Sequence, residues 1–157
     1  MEQYISAKIV FCAVHELLEA EKILLEEAKR IGAQAYAPYS NFKVGAACLL
    51  QDGSIVKGCN QENASFPAGI CAERVAVHAA MSMSPDMPIT TIAIAAQSKH
   101  GYTKKPISPC GVCRQVLLEA EQKFNRPIKL ILYGEENIAV FEKASDLLPF
   151  YFDASAL

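Results

Sequence analysis

The chain of 157 residues has little of what marks the specialised classes of sequence. Glycine and proline occur only eight times each, which excludes collagen-like and low-complexity chains. Charged residues make up 20% against 52% hydrophobic, so intrinsic disorder is excluded as well. Basic residues are not in excess, since fifteen against seventeen acidic ones leave a net charge of -2. That is a poor footprint for gripping a polyphosphate backbone, and free small molecules are expected as partners, not nucleic acid. No uninterrupted apolar run approaches the ~20 residues that cross a bilayer, so no membrane partner is expected. The first twelve residues place glutamate ahead of lysine and set that lysine inside an apolar stretch, the wrong order for a secretory leader. The expectation is one folded cytoplasmic domain, residues 1–157, with ample material for a core.

Six cysteines in 157 residues are about 4% of the chain, below the density of small disulfide-stapled scaffolds. In a reducing compartment cysteines at motif spacing point to metal or catalysis, so their placement decides.

Residues 3–11 alternate loosely and predict a first strand, and the apolar positions between His15 and Ala35 recur at helical spacing. Lys43–Leu50 and Ser54–Cys59 flank Gln51-Asp52-Gly53, a strong signal for a hairpin. Cys71–Met83 predicts an alanine-rich helix, Ile89–Ala96 a buried strand, Cys110–Phe124 a further helix, and Ile128–Tyr133 and Ile138–Phe141 two closing strands. This alternation argues for an α/β fold of three layers, α/β/α, around a central mixed β-sheet.

Two segments carry the chemistry: Cys71-Ala72-Glu73-Arg74 and Pro109-Cys110-Gly111-Val112-Cys113-Arg114-Gln115, each opening a predicted helix. A helix amino terminus favours thiolate over thiol, and thiolate is the form that binds metal. Cys110 and Cys113 stand three apart and share a helical face. Alone, such a pair is equally a redox couple or two buried thiols. With Cys71 the count becomes three, one short of a closed structural zinc site and right for a catalytic zinc (Zn2+, one per subunit). Glu73 can then take a proton from an activated water and hand it to a leaving amine. Three thiolates outweigh the charge of Zn2+ by one, so a nearby cation is needed, and Arg74 is placed to supply it. Cys12, Cys48 and Cys59 fall in predicted strands and are expected as core thiols. His15, His78 and His100 lack ligand spacing.

Cys-Ala-Glu with a later Pro-Cys-x-x-Cys is the cysteine form of the zinc deaminase signature. Together with Ala37-Pro38-Tyr39-Ser40-Asn41-Phe42, Asn60-Gln61-Glu62-Asn63 and Asp146-Leu147-Leu148-Pro149, these blocks resemble the small homotetrameric cytidine deaminases. The resemblance implies hydrolytic deamination of cytidine and deoxycytidine in pyrimidine salvage. It implies Asn60 and Glu62 on the ribose, Phe42 against the pyrimidine, and an aromatic after Leu-Leu-Pro, best fitted by Phe152, reaching a neighbouring subunit's site. A deaminase of a modified pyrimidine nucleoside such as blasticidin S, an editor of bases in polynucleotides, and a non-catalytic zinc-stabilised binding module remain as alternatives.

Overall fold

In the computed structural model, which describes residues 1–157, the elements follow the order that the apolar pattern predicts, with one strand added. They are β1 (Val10–Cys12), α1 (Glu19–Gly32), β2 (Lys43–Leu50), β3 (Ile55–Cys59), α2 (Ala72–Met83), β4 (Ile89–Ser98), β5 (Gly101–Tyr102), α3 (Gly111–Lys123), β6 (Lys129–Leu132) and β7 (Ile138–Phe141). The strands form one sheet in the order β1-β7-β6-β4-β2-β3, with β5 folded back on the end of β4. Only β4 and β6 run parallel, because α3 carries the chain from one to the other. Every other pairing is antiparallel.

Strand alternation sorts the side chains into two cores. Ala46, Cys48, Leu50, Ile92 and Ile94 face α2 and α3, where they meet Ala72, Ala76, Val77 and Leu117. Ala47, Ala93, Ala95 and Ile131 face the other way, onto Leu24, Leu25 and Ala28 of α1. The three layers expected from the sequence are therefore present. Burying Leu24 and Leu25 completely stabilises α1 by about 1.5–3 kcal/mol apiece. Two glycines allow the close approach. A Cβ on Gly45 of β2 would lie 1.9 Å from the Ala28 carbonyl oxygen of α1, and one on Gly58 of β3 would lie 2.5 Å from the Ala76 nitrogen of α2.

The ends of several elements depart from expectation. The first strand is Val10–Cys12 and not residues 3–11, because its partner β7 offers only four residues for pairing; residues 1–9 are irregular and exposed. The first helix starts at Glu19, not His15. Val14–Glu16 form a short 3-10 turn, and the buried Glu21 accepts a hydrogen bond from the Leu18 N–H at 3.0 Å, which sets the start. The predicted hairpin between β2 and β3 forms, with Gly53 at φ +87° in the left-handed region. Strand β5 was absent from the expectation; two residues are too few to show a period, and Gly101 at φ +109° makes the turn into it.

Candidate metal centre and substrate cavity

The chemistry sits where β4 ends and its neighbours turn, at the amino termini of α2 and α3. Ligand sites of open α/β sheets gather at such carboxyl ends of strands. Cys71 and Cys110 are the residues immediately before the two helices. Both have extended backbone (φ -75°, ψ 154° and φ -67°, ψ 166°), and neither side chain makes a capping bond. Their carbonyls accept the first helical hydrogen bonds, from Val75 at 3.1 Å and Arg114 at 2.9 Å, which leaves each thiol free to turn inward. Cys113, one turn into α3, is fully buried.

The three sulfurs converge. Cys71 Sγ lies 3.8 Å from Cys110 Sγ, Cys110 Sγ lies 3.4 Å from Cys113 Sγ, and all three fall within 4.8 Å of one another. Zinc–sulfur bonds of ~2.3 Å in tetrahedral directions place ligand sulfurs ~3.8 Å apart, so three thiols at this spacing fit a zinc ion. The ligand set expected from the sequence is thus brought together, and the other three cysteines lie elsewhere.

The protons of the cluster are unevenly shared. The Cys71 thiol is held down to about 5, chiefly by the hydrogen bond from Cys113 and further by Arg74 and Cys110, against the opposing effect of burial. Cys113 is pushed up, because it keeps the proton that it shares with Cys71. Arg74 donates from Nη2 to the Gly69 carbonyl at 3.4 Å, while its Nε is buried without a hydrogen-bond partner. A cation held against the cysteine thiols suits a centre whose ligands outweigh the metal's charge.

Glu73 is 6% exposed and lines the same cavity as Cys71 and Cys110. Burial raises its carboxyl above the usual range, and the charge of Cys71 adds to the rise. The cavity holds about 290 Å3, and Ser40, Asn60, Glu62 and Cys71 also line a more open one of about 500 Å3 beside Tyr39 and Phe66. Phe42, Val44 and Ile94 give the inner cavity an apolar wall.

Asn60 and Glu62 line the cavity, and they also build it. Asn60 accepts from the Val44 N–H at 2.7 Å and donates to the Phe42 carbonyl at 3.0 Å. Glu62 accepts from the Tyr39 N–H at 2.9 Å, the Ser40 N–H at 3.3 Å and the Ser40 hydroxyl. Both side chains therefore hold the segment that presents Phe42. One amide N–H of Asn60 and part of the carboxylate's accepting capacity stay available to a ligand. Phe152 lies outside the cavity of its own chain; it is 62% exposed, and its carbonyl accepts from Gln115 Nε2 at 3.0 Å. Ser40, Ile107 and Ser108 also line the cavity and were not singled out in the sequence, although Ser40 lay inside one of the motif blocks.

Residues 18–125 match the family described as the cytidine and deoxycytidylate deaminase zinc-binding region. This chain belongs to that family. Among its members, a cytidine deaminase of Halalkalibacterium halodurans is 45% identical over 98 residues, covering 62% of this chain and 70% of that protein. One of Mycobacterium tuberculosis is 41% identical over 110 residues, covering 68% and 78%. The crystal structure of the cytidine deaminase of Burkholderia pseudomallei superposes with a TM-score of 0.71 at 40% identity, covering 83% of this chain and 97% of that one. In this deaminase the zinc-binding region of the family contains all three converging cysteines and Glu73.

Proposed function

We propose that the chain acts as one domain, residues 1–157, that converts cytidine and deoxycytidine to uridine and deoxyuridine with release of ammonia. The observation that carries the reading is a buried carboxylate, Glu73, in the cavity that Cys71 and Cys110 also line. Cys71, Cys110 and Cys113 are the residues to hold one zinc ion per subunit, whose Lewis acidity makes water a competent nucleophile near neutral pH. Glu73 takes a proton from the water that attacks C4 and delivers it to N3 of the ring. It then carries the proton of the new C4 hydroxyl to the departing amino group, so the products are a uracil ring protonated at N3 and ammonia. Phe42 offers a flat apolar surface to the pyrimidine, and Asn60 and Glu62 have spare hydrogen-bonding capacity for the sugar hydroxyls.

The family description names a nucleoside and a nucleotide, and the charge of the cavity favours the former. The two cavities that share Ser40, Asn60, Glu62 and Cys71 are lined by the carboxylates Glu62 and Glu73 and by no lysine, arginine or histidine, so a 5′-phosphate would meet repulsion with no counter-charge. A net charge of -2 argues in the same direction against polynucleotides. A homotetramer is supported by the exposed aromatics Phe66, Phe150 and Phe152, which suit burial against a neighbouring subunit. A cytoplasmic location is supported by ligand thiols that must stay reduced; no helix is long and apolar enough to cross a membrane.

The deciding experiment follows uridine formation from cytidine with and without a zinc chelator. Cytidine monophosphate and blasticidin S serve as competing substrates, and turnover of either one in preference to cytidine overturns the substrate assignment.

A further inference from the structure

Arg114 follows the buried ligand Cys113 directly, yet its side chain turns back toward the other cysteine of α3. Its Nε donates to the Pro109 carbonyl at 2.8 Å, the peptide group that leads into Cys110. Its Nη2 donates to the Ser108 hydroxyl at 2.9 Å, and its Nη1 to the Leu147 carbonyl at 3.1 Å. One planar guanidinium thus serves three acceptors, two of them within two residues of Cys110.

That placement matters because of how the ligand loop is made. Residues 106–109 enter no backbone–backbone hydrogen bond. Upstream, the chain is tied where Glu135 and Glu136 donate to the Thr103 and Lys104 carbonyls at 3.0 and 2.9 Å. Downstream, it is tied at the first helical bond, from Arg114 N–H to the Cys110 carbonyl. Between those anchors, two prolines restrict the backbone angles, and the position of Pro109 relative to α3 is set by the Arg114 side chain. Cys110 itself is exposed, so packing does little to hold it, in contrast to Cys113.

We propose that Arg114 is a positioning residue for the metal centre, holding the Ser108–Cys110 turn at the register that brings Cys110 Sγ to the other two sulfurs. The inference rests on the reading of Cys71, Cys110 and Cys113 as zinc ligands. Lysine cannot replace the arginine, since a single ammonium at the end of a flexible stem does not reproduce a planar fork with three separated acceptors. Groups that orient metal ligands from outside the coordination sphere typically change metal affinity by ~10–100-fold when removed.

The test compares Arg114→Lys and Arg114→Gln with wild type and with Glu121→Gln, all purified with zinc. Glu121 pins the far end of α3, accepting from the Ile128, Ala144 and Ser145 N–H groups at 2.9, 2.7 and 3.3 Å, so its loss weakens the fold and the segment that carries Leu147 while leaving the Arg114 bonds to Ser108 and Pro109 in place. The readouts are the rate of zinc transfer to a colorimetric chelator well below the unfolding temperature, and the thiolate-to-metal charge-transfer band of the cobalt-substituted proteins. The expected result is at least tenfold faster zinc loss and an altered cobalt band in both Arg114 variants, with neither change in Glu121→Gln at comparable loss of thermal stability. Zinc loss that merely tracks the fall in unfolding temperature across all three variants overturns the proposal, as does wild-type behaviour of Arg114→Lys. If Arg114→Gln fails to fold, Arg114→Lys alone decides. Wild-type protein that binds no zinc defeats the ligand reading itself and is seen before any variant is compared.

Discussion

The sulfurs of Cys110 and Cys113 lie 3.4 Å apart, yet the first belongs to an exposed residue and the second to one that is fully buried. The same helical turn thus supplies one thiol that is part of the core and one that is held only at its backbone. The two should separate on substitution. Cys110→Ala and Cys113→Ala are both expected to lose stoichiometric zinc and turnover. In the metal-free proteins, only Cys113→Ala should lose stability, by about 0.5–3 kcal/mol, because it alone leaves a void among packed side chains. Thermal unfolding in the presence of chelator measures the difference, and equal losses in the two variants would contradict it.

Glu73→Gln keeps the volume of the side chain and removes its ability to carry a proton. The variant is expected to retain one zinc per chain while turnover falls by about 10²–10⁴-fold. Metal analysis and uridine formation on the same sample check both halves. Turnover above a tenth of wild type rules out the role assigned to Glu73.

Glu62 is held below the usual carboxylate range, chiefly by the hydrogen bond from the Ser40 hydroxyl and further by the Tyr39 and Ser40 N–H groups. A depressed folded-state pKa means that the stabilising contacts are complete above the ordinary carboxylate pKa and are lost as pH falls through the lower, folded value. Ser40→Ala removes the main cause, so Glu62 should protonate at a higher pH. The KM for cytidine in Ser40→Ala is expected to begin rising at a higher pH than in wild type as the solution is acidified. Titrating both proteins side by side cancels the contribution of the shared metal centre, and superimposable profiles would remove Glu62 from sugar binding.

Gly58 is the point where β3 touches the backbone of α2. A methyl group there would lie 2.5 Å from the Ala76 nitrogen and 2.9 Å from the Ala72 carbonyl oxygen. Gly58→Ala must push α2 outward, which should cost about 1–3 kcal/mol of stability and shift Cys71 away from the other two thiols. Both a lower unfolding temperature and weaker zinc retention are expected. A destabilised variant that keeps its zinc would show that α2 can slide without moving its first residue.

Much of this architecture is legible along the chain. β2 and β7 begin and end at the residues that the apolar runs indicate, since an uninterrupted run between turn residues leaves little freedom at its ends. α2 and α3 fall one residue inside their predicted starts, because Cys71 and Cys110 are the flanking residues of the helices and not their first turns. Residues 3–11 were not decided by their own pattern. A strand exists only as far as its partner extends, and β7 is short.

The local sequence alone determined which residue types could hold a metal and shuttle a proton, because motif spacing within a helical turn is a local property. It also determined the layering, because the apolar periods dictate which faces must be buried. What the tertiary structure decided is how groups far apart in sequence meet. Cys71 reaches Cys110 at 3.8 Å only because Gly58 lets α2 pack tightly on the sheet while the crossover through α3 returns the second helix to the same edge. Asn60 and Glu62 turned out to brace the Phe42 segment as well as to line the cavity, and Arg114 to hold the turn that carries Cys110. Hydrogen-bond partners of this kind are set by where the backbone of another segment passes, and no spacing within one segment encodes that.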